Sequence, residues 1–341
     1  MSEQLSEHFT GHHNHFDGRR FFTPGAPPMA TWKRVLRWWF SRRHRGFWPR
    51  KITPGVAPER RRGRPLAAGE TCAVTWVNHS TFLIETAHGN FLTDPVFSPC
   101  AGPLGLFGPK RVHAPGIAFD DLPPIDCVLL SHDHYDHCDM RALRRIARRD
   151  FPAAVTLLRN GDLLREAGFE HVAELDWWAK TRIGAGAGDD GYGDGGVEVT
   201  ATPAQHWSTR ALGARNGRLW GGFWLEITGG PRIYFAGDTG YNTRLFPEIR
   251  RRLGNPDLAL LPVGAYAPRW FMSPQHCDPA QAVRIHLDLG ARRSVAMHWG
   301  CFRLTDEARD DPPRELAAER EKANLPPDAF RVLQPGECLR L

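Results

Sequence analysis

The chain has 341 residues, with 44 Lys and Arg against 38 Asp and Glu, so its net charge of +6 favours anionic partners. Its N-terminus has no apolar signal core and no run reaches the ~18 apolar residues of a membrane span, so we expect neither a secretory signal nor a membrane-spanning protein. The seven cysteines form no CxxC pair, so we expect a reducing, cytoplasmic protein without a disulfide framework.

Residues 1–70 form a first unit, an N-terminal extension that we expect to be partly disordered or packed on the body. Within it, residues 31–51 carry eight Lys and Arg, six aromatic side chains and no acid. Such a basic, aromatic arm suits a membrane surface, where it would give peripheral association. Its tryptophans can equally dock on the body while its arginines stay solvated. A nucleic-acid arm is a third reading, but no recognised module supports a specific nucleic-acid partner.

Residues 71–341 form the second unit, in which β-rich runs come first and strands then alternate with helices. We predict strands at 71–77, 81–86, 90–96, 125–130, 154–158, 197–204, 219–228, 232–238, 257–263 and 292–300. We predict helices at 140–149, 161–168, 244–254 and 278–290, and a Gly/Asp-rich loop at 184–196. This order predicts two sheets packed face to face with helices outside them.

The stretch SHDHYDH directly follows the predicted strand 125–130. It contains many ionisable groups at the end of a buried strand, where they would not be expected to stabilise the fold. Unpaired polar groups are costly to bury, whereas imidazole and carboxylate are ligands of zinc and related cations. His132 and His134 are two residues apart and can point the same way on an extended backbone. Asp136 and His137 follow where the chain turns into the next helix, so they can face a second cation.

Further ligands should come from the ends of other predicted strands. Three residues occupy such ends: His206 after 197–204, Asp238 at the end of 232–238, and His298 in the last strand. Any one of them alone could be an ordinary histidine or aspartate. Together with the cluster at 132–137, they predict a site for two cations.

The order HxHxDH, then a distant His, Asp and His, resembles the metallo-β-lactamase fold superfamily. That resemblance implies a four-layer αββα sandwich with two zinc ions at one edge of the sheets. It implies that one ion is held by His132, His134 and His206, the other by Asp136, His137 and His298, with Asp238 bridging the two. By the same resemblance, His79 and Asp94 lie close to the metal loop, and the need of ligating imidazoles for a fixed second nitrogen makes Asp94 an orienting group.

A tighter resemblance extends over roughly residues 71–341. The blocks LPPIDCVLLSHDHYDH, TPAQHWSTR and FAGDTGYN, and the long segment 262–300, are similar to N-acyl-phosphatidylethanolamine-hydrolysing phospholipases D. The resemblance implies a phospholipid substrate, with release of N-acylethanolamine and phosphatidic acid. It further implies that Tyr135 and Gln275 contact substrate, and that His276 acts in catalysis beside Asp136 and Asp238.

Two adjacent cations can share a water-derived hydroxide, lower its pKa to near neutrality and present it to phosphorus or to a carbonyl carbon. The same site would therefore also suit a lactonase, a thioesterase or a nuclease. A diiron redox enzyme is disfavoured, because reductases of this fold carry a carboxylate at the position of His134. A non-catalytic binding protein is disfavoured because the whole ligand set is present. The sequence leaves a homodimer open.

Overall fold

The computed structural model describes residues 15–27, 32–41, 46–51, 66, 69–184, 195–210 and 214–341. Strands β1 to β7 are Cys72–Asn78, Thr81–Thr86, Gly89–Thr93, Cys127–Leu130, Ala153–Leu157, Val172–Leu175 and Lys180–Ile183. Strands β8 to β14 are Val197–Thr202, Gly222–Ile227, Arg232–Phe235, Leu258–Pro262, Arg293–Met297, Phe330–Arg331 and Cys338–Arg340. Helices α1 to α7 are Trp32–Ser41, Met140–Asp150, Gly161–Ala167, Leu245–Leu253, Arg269–Met272, Pro279–Leu289 and Asp311–Lys322.

The strands form two seven-stranded sheets of the same design. The first has the order β14-β1-β2-β3-β4-β5-β6, and the second the order β13-β12-β11-β10-β9-β8-β7. In each sheet, strands joined by short turns pair antiparallel, as β1 with β2 and β9 with β10 do. Strands separated by a helix, such as β4 and β5 around α2, pair parallel, because a parallel partner needs a long crossover.

The core lies between the sheets, which explains why most of the strands read as nearly continuous apolar runs. Trp76 and Phe91 of the first sheet and Trp224, Tyr234 and Leu260 of the second belong to one buried cluster. A second cluster fills the space between the first sheet and its helices, where Leu143 and Ile146 of α2 are buried with β4. The predicted αββα sandwich is confirmed.

Helix α2 begins directly after the histidine-rich segment because Asp139 ends that segment as an N-cap. Its carboxylate accepts hydrogen bonds from the backbone nitrogens of Arg141 and Ala142. The same carboxylate accepts from the backbone nitrogens of Phe97 and Ser98 at 3.0 and 2.7 Å. Asp139 therefore fixes where the segment turns and ties it to the loop after β3.

The described parts of the N-terminal extension pack on the body. His15 lies 2.8 Å from Asp176 between Nε2 and Oδ1, and Phe21 is buried in the main core. Helix α1, which the sequence analysis did not predict, is held by Trp38, whose Nε1 donates to Asp306 Oδ2 at 2.7 Å. A helix of only ten residues depends on such tertiary contacts for its stability rather than on intrinsic propensity.

Several short or polar elements were also not predicted from the sequence. Strands β6, β7, β13 and β14 are two to four residues long, and α7 is largely polar, so none has a strong pattern. Most of the predicted loop 184–196 lies outside the described residues. Within the described ranges, no helix has both the length and the apolar character needed to cross a bilayer.

Candidate metal centre

The predicted site residues meet at one edge of the two sheets, because each follows the end of a strand. His132 follows β4, His206 follows β8, and Asp238 and His298 follow β10 and β12. Strands β8, β10 and β12 run in the same direction within the second sheet, so their carboxyl ends share an edge. The topology thus brings together side chains that are up to 166 positions apart (298 − 132).

Three imidazoles form a first group of nitrogen donors. His134 Nδ1 lies 3.0 Å from His132 Nε2 and 3.2 Å from His206 Nε2. The carboxylate oxygen Asp238 Oδ2 lies 3.7 Å from His206 Nε2 and 4.0 Å from His132 Nε2. These four atoms surround one point.

A second group of donors lies on the other side of the same Asp238 oxygen. Asp238 Oδ2 is 3.2 Å from His137 Nε2 and 3.1 Å from His298 Nε2. Asp136 Oδ2 completes the group, at 3.6 Å from His137 Nε2 and 3.3 Å from His298 Nε2. Asp238 is therefore the residue that the two groups share.

Both groups have the chemistry and the spacing of a metal site. Zinc held by tetrahedral ligands at ~2.0–2.1 Å separates those ligands by about 3.3 Å, close to the distances here. His137 Nε2, His298 Nε2 and Asp238 Oδ1 are buried without a hydrogen-bond partner in the described structure. A buried polar atom without a partner is costly, and a cation would satisfy the two imidazole nitrogens. The residues present fit a pair of metal ions.

Asp94 orients two of the histidines in the segment 132–137. It is fully buried, and Asp94 Oδ2 lies 2.6 Å from His137 Nδ1. Ser131 donates its hydroxyl to Asp94 Oδ2 at 2.6 Å, so its oxygen can accept the proton of His132 Nδ1 at 2.8 Å. Both imidazoles then carry hydrogen on Nδ1 and turn Nε2 towards the centre. The sequence analysis missed Ser131, although it directly precedes His132.

Two further contacts orient the His206 ring and the Asp136 carboxylate. The backbone carbonyl of Gln275 lies 2.9 Å from His206 Nδ1 and thereby directs His206 Nε2 into the centre. His79 Nε2 lies 3.1 Å from Asp136 Oδ2 and holds that carboxylate in place. The Gln275 side chain does not contact the donors; its Nε2 lies 3.7 Å from the sulfur of Met272.

The electrostatics divide the histidines into two kinds. Burial and the neighbouring imidazoles lower the pKa of His134 to about 3, and burial lowers the pKa of His206 to about 4, so both are ready as neutral ligands. Burial also disfavours charge on His298, but Asp238 and Asp136 outweigh it and raise the pKa of His298 to about 9. The same carboxylates raise the pKa of His137 well above its usual value against the effect of burial.

Two other predicted site residues lie at different distances from the centre. His276 is buried, and its Nδ1 lies 3.9 Å from Asp238 Oδ2. Tyr135 turns away from the donors: its hydroxyl donates to the carbonyl of Arg210 at 3.1 Å, and the Arg210 guanidinium covers its ring at 4.3 Å. Tyr135 therefore lines a neighbouring cavity rather than the groove above the metal donors.

That groove is a cavity of about 360 Å³ with His134, Asp136 and Asp238 on its floor. Its other lining residues are Val35, Trp38, Trp207, Arg215, Ala265, Phe271, Met272, Gln275, His276, Leu304 and Thr305. The walls are mainly apolar, and Arg215, whose guanidinium stands 4.8 Å from the Trp207 ring, supplies a cation. Helix α1 contributes one wall, which the sequence pattern did not reveal.

Comparisons with known proteins identify the family of the chain. The model of the Beta-lactamase superfamily domain matches residues 89–299. N-acyl-phosphatidylethanolamine-hydrolyzing phospholipase D 1 of Caenorhabditis elegans is 35% identical over 273 residues, covering 77% of this chain and 74% of the relative. An uncharacterized protein of Mycobacterium tuberculosis is 34% identical over 342 residues, covering 99% of this chain and 85% of the relative.

Among solved structures, a metallo hydrolase of the archaeon Ignicoccus hospitalis superposes with a TM-score of 0.56 at 24% identity, covering 79% of this chain and 98% of that chain. This likeness concerns the fold.

Proposed function

Because the chain belongs to the metallo-β-lactamase superfamily and is a metal-dependent hydrolase, we propose that it is a phospholipase D-type phosphodiesterase acting on N-acyl-phosphatidylethanolamine. The observation that carries the proposal is the placing of both donor groups at the floor of an apolar groove. A substrate for such a groove needs an anionic or polar reacting centre attached to long apolar chains. A phospholipid has this form, and the name of the Caenorhabditis elegans relative denotes an activity of the same class.

We assign two zinc ions to the centre. His132, His134 and His206 would hold one ion, Asp136, His137 and His298 the other, and Asp238 both. A bound pair of such ions supplies Lewis acidity, activates water near neutral pH and neutralises charge on phosphoryl oxygens. Asp94, Ser131 and His79 keep the donors oriented before substrate arrives, which avoids reorganisation during the reaction.

The other residues of the groove have roles in substrate binding. Burial lowers the pKa of His276 well below its usual value, so it is a neutral imidazole at physiological pH. Its Nδ1 faces Asp238 without a hydrogen-bond partner among the described residues, and we assign His276 to bind the phosphodiester beside the metal centre. Arg215 would attract the phosphodiester charge, while Trp38 and Phe271 contact the apolar chains.

The reaction exchanges one P–O bond for another. An oxygen from water bonds to phosphorus, the bond from phosphorus to the head-group oxygen breaks, and the proton lost by water ends on the released alcohol. The products are phosphatidic acid and N-acylethanolamine.

The test is hydrolysis of N-acyl-phosphatidylethanolamine in mixed micelles by zinc-loaded protein in ¹⁸O-water, with products measured by mass spectrometry. We expect both products, with the label in phosphatidic acid. Asp238→Asn should lose about 10³-fold or more of the rate, since the shared oxygen donor changes its charge. The matched control is Asp257→Asn. Asp257 directly precedes β11 and so lies at the edge of the sheet opposite to the metal centre, and this variant should retain activity.

A panel of a lactone, a thioester, a nitrocefin-type lactam and bis-p-nitrophenyl phosphate tests the alternatives. Faster turnover of one of these by fully loaded protein, with no lipid hydrolysis, would assign the centre to another hydrolase of the same fold.

A further inference from the structure

A tight loop at residues 101–109, here called the apolar loop, holds three large apolar side chains in solvent. Leu104, Leu106 and Phe107 are 69%, 56% and 63% exposed. Isolated exposed apolar residues are ordinary, but three within four positions form a patch. Neither donor group nor the groove uses these side chains.

The fold keeps the apolar loop extended from the surface. Its neck is closed by a hydrogen bond from Ala101 N to Pro109 O at 2.9 Å. The chain crosses itself so closely there that a Cβ on Gly102 would lie 2.2 Å from the carbonyl oxygen of Phe107, and one on Gly108 would lie 2.5 Å from that of Ala101. Because the neck is so closely packed, the tip cannot easily fold back to bury its side chains.

The apolar loop stands beside the metal centre. Residues 102–105 line a cavity of about 230 Å³ together with Tyr135, which lies between His134 and Asp136 in the sequence. On its other side, Ala101 belongs to a buried cluster against which Leu304 packs, and Leu304 also lines the groove. The exposed tip and the groove therefore belong to the same end of the molecule.

The base of the apolar loop is cationic. Lys110 and Arg141 are exposed, and neither has an ion pair within the part of the chain that the structure describes. The carboxylates nearby are already engaged: Glu166 pairs with Arg144 at 2.6 Å, and Asp139 caps α2. An apolar tip above a cationic base matches a bilayer, whose anionic phosphates lie outside its hydrocarbon.

We infer that the apolar loop is an interfacial anchor, whose three apolar side chains enter a bilayer containing anionic lipid while Lys110 and Arg141 lie among the phosphates. The inference rests on the proposed function for its biological purpose, because the anchor would hold the groove against the membrane that contains the substrate. A second copy of this chain is a poorer occupant, because self-pairing would bring the same uncompensated cations face to face.

The test uses full-length, zinc-loaded protein and sedimentation with phosphatidylcholine vesicles, with or without 30% phosphatidylglycerol and without any substrate lipid. We expect Leu104→Ser/Leu106→Ser/Phe107→Ser to weaken vesicle partitioning about tenfold or more, because three apolar side chains no longer leave water. Lys110→Glu/Arg141→Glu should remove the preference for phosphatidylglycerol.

The matched control is Phe151→Ser/Leu287→Ser, which removes side chains that are 74% and 43% exposed. Phe151 precedes β5 and thus lies at the opposite edge of the sheet from the metal donors. This control should sediment like the unmodified protein, and unchanged zinc content and thermal midpoint should verify the folding of every variant.

Equal sedimentation of the triple variant and the unmodified protein would overturn the inference. A change in molar mass by light scattering, with vesicle binding unaltered, would also overturn it and make the apolar loop a contact between chains. Because no substrate lipid is present, loss of vesicle binding supports the anchor even if the proposed hydrolysis fails, and hydrolysis in micelles can succeed without the anchor.

Discussion

At the scale of single residues, Asp94 has the widest influence on the centre. It reaches His137 directly and His132 through Ser131, so one buried carboxylate orients a donor of each group. Its backbone has a φ of 33°, an uncommon conformation for a residue with a side chain, and this places the carboxylate beneath the donors.

We predict that Asp94→Asn lowers zinc affinity by about 10–100-fold, because an amide holds the ring protons of the two imidazoles less well than a carboxylate. Competition with a chromophoric chelator measures the affinity. Asp257→Asn, which alters a carboxylate that accepts from Arg232 N far from the centre, should leave it unchanged. Equal affinities for the Asp94 variant and unmodified protein would contradict the orienting role.

Proton release on metal binding follows from the raised pKa values of His137 and His298. Without metal, the His298 imidazole is protonated at pH 7.5, because its pKa is about 9. Asp238 and Asp136 raise the pKa of His137 as well, which favours its protonated form. Zinc needs both imidazoles neutral, so we expect protons to leave on binding and zinc affinity to rise from pH 6 to pH 9.

Calorimetric titration in buffers of different ionisation enthalpy measures this release, and His298→Gln should reduce it by about one proton. In metal-free protein, the contribution of His298 to the free energy of unfolding falls as the pH rises, whereas zinc affinity increases. The raised pKa of His298 stabilises the fold below its ordinary value of 6.5, and this contribution is lost as the pH rises through about 9. Binding heats that are independent of buffer would contradict the prediction.

At the scale of elements, helix α1 connects the N-terminal extension to the groove. Trp38 stacks on Phe271 of α5 with ring centroids 5.0 Å apart and donates to Asp306. Residues 46–51 continue this attachment, since Trp48 Nε1 donates to the carbonyl of Glu307 at 2.8 Å. The docking of tryptophans on the body, one of the two main readings of residues 31–51, thus applies to both of these side chains.

We predict that Trp38→Ala raises the KM for a long-chain lipid about threefold to tenfold, because one apolar wall of the groove is lost. The kcat for bis-p-nitrophenyl phosphate should change little if this small substrate reaches the donors without contacting α1. Trp38→Phe should retain most of the wall while losing the hydrogen bond. Leu36→Ala on the exposed side of α1 is the control. An unchanged lipid KM in Trp38→Ala would exclude α1 from substrate binding.

At the scale of the whole molecule, the metal centre joins the two sheets. His132, Asp136 and His137 belong to the first sheet's connections, whereas His206 and Asp238 follow strands of the second. Ions shared between these segments would tie the two halves of the sandwich together. Metal binding should therefore contribute to global stability as well as to catalysis.

We predict that removing metal with a chelator lowers the thermal midpoint by about 5 °C or more, and that added zinc restores it. Asp238→Asn protein should respond much less, because its weakened centre holds little metal. Differential scanning calorimetry measures both. A midpoint independent of chelator in protein shown by elemental analysis to contain zinc would contradict a structural role for the ions.

The fold class was predicted correctly from the sequence, and the sequence also supplied the candidate residues of the centre. Local patterns can be recognised from the sequence without a structure. The apolar strands, their order with the helices and the cluster at residues 132–137 are such patterns. The ends of predicted strands pointed to the distant His206, Asp238 and His298, the family resemblance divided them between two ions, and the structure brings these residues together. Their role as metal ligands stays a prediction.

Three features became visible only in the folded chain: Asp94 contacts His132 through Ser131, Tyr135 turns from the centre towards Arg210, and α1 forms a wall of the groove. The tertiary structure alone revealed that Leu104, Leu106 and Phe107 are held in solvent. These features depend on contacts between segments far apart in the chain and on backbone geometry at a few positions. Neither composition nor periodicity records such contacts, because both describe neighbours along the chain rather than neighbours in space.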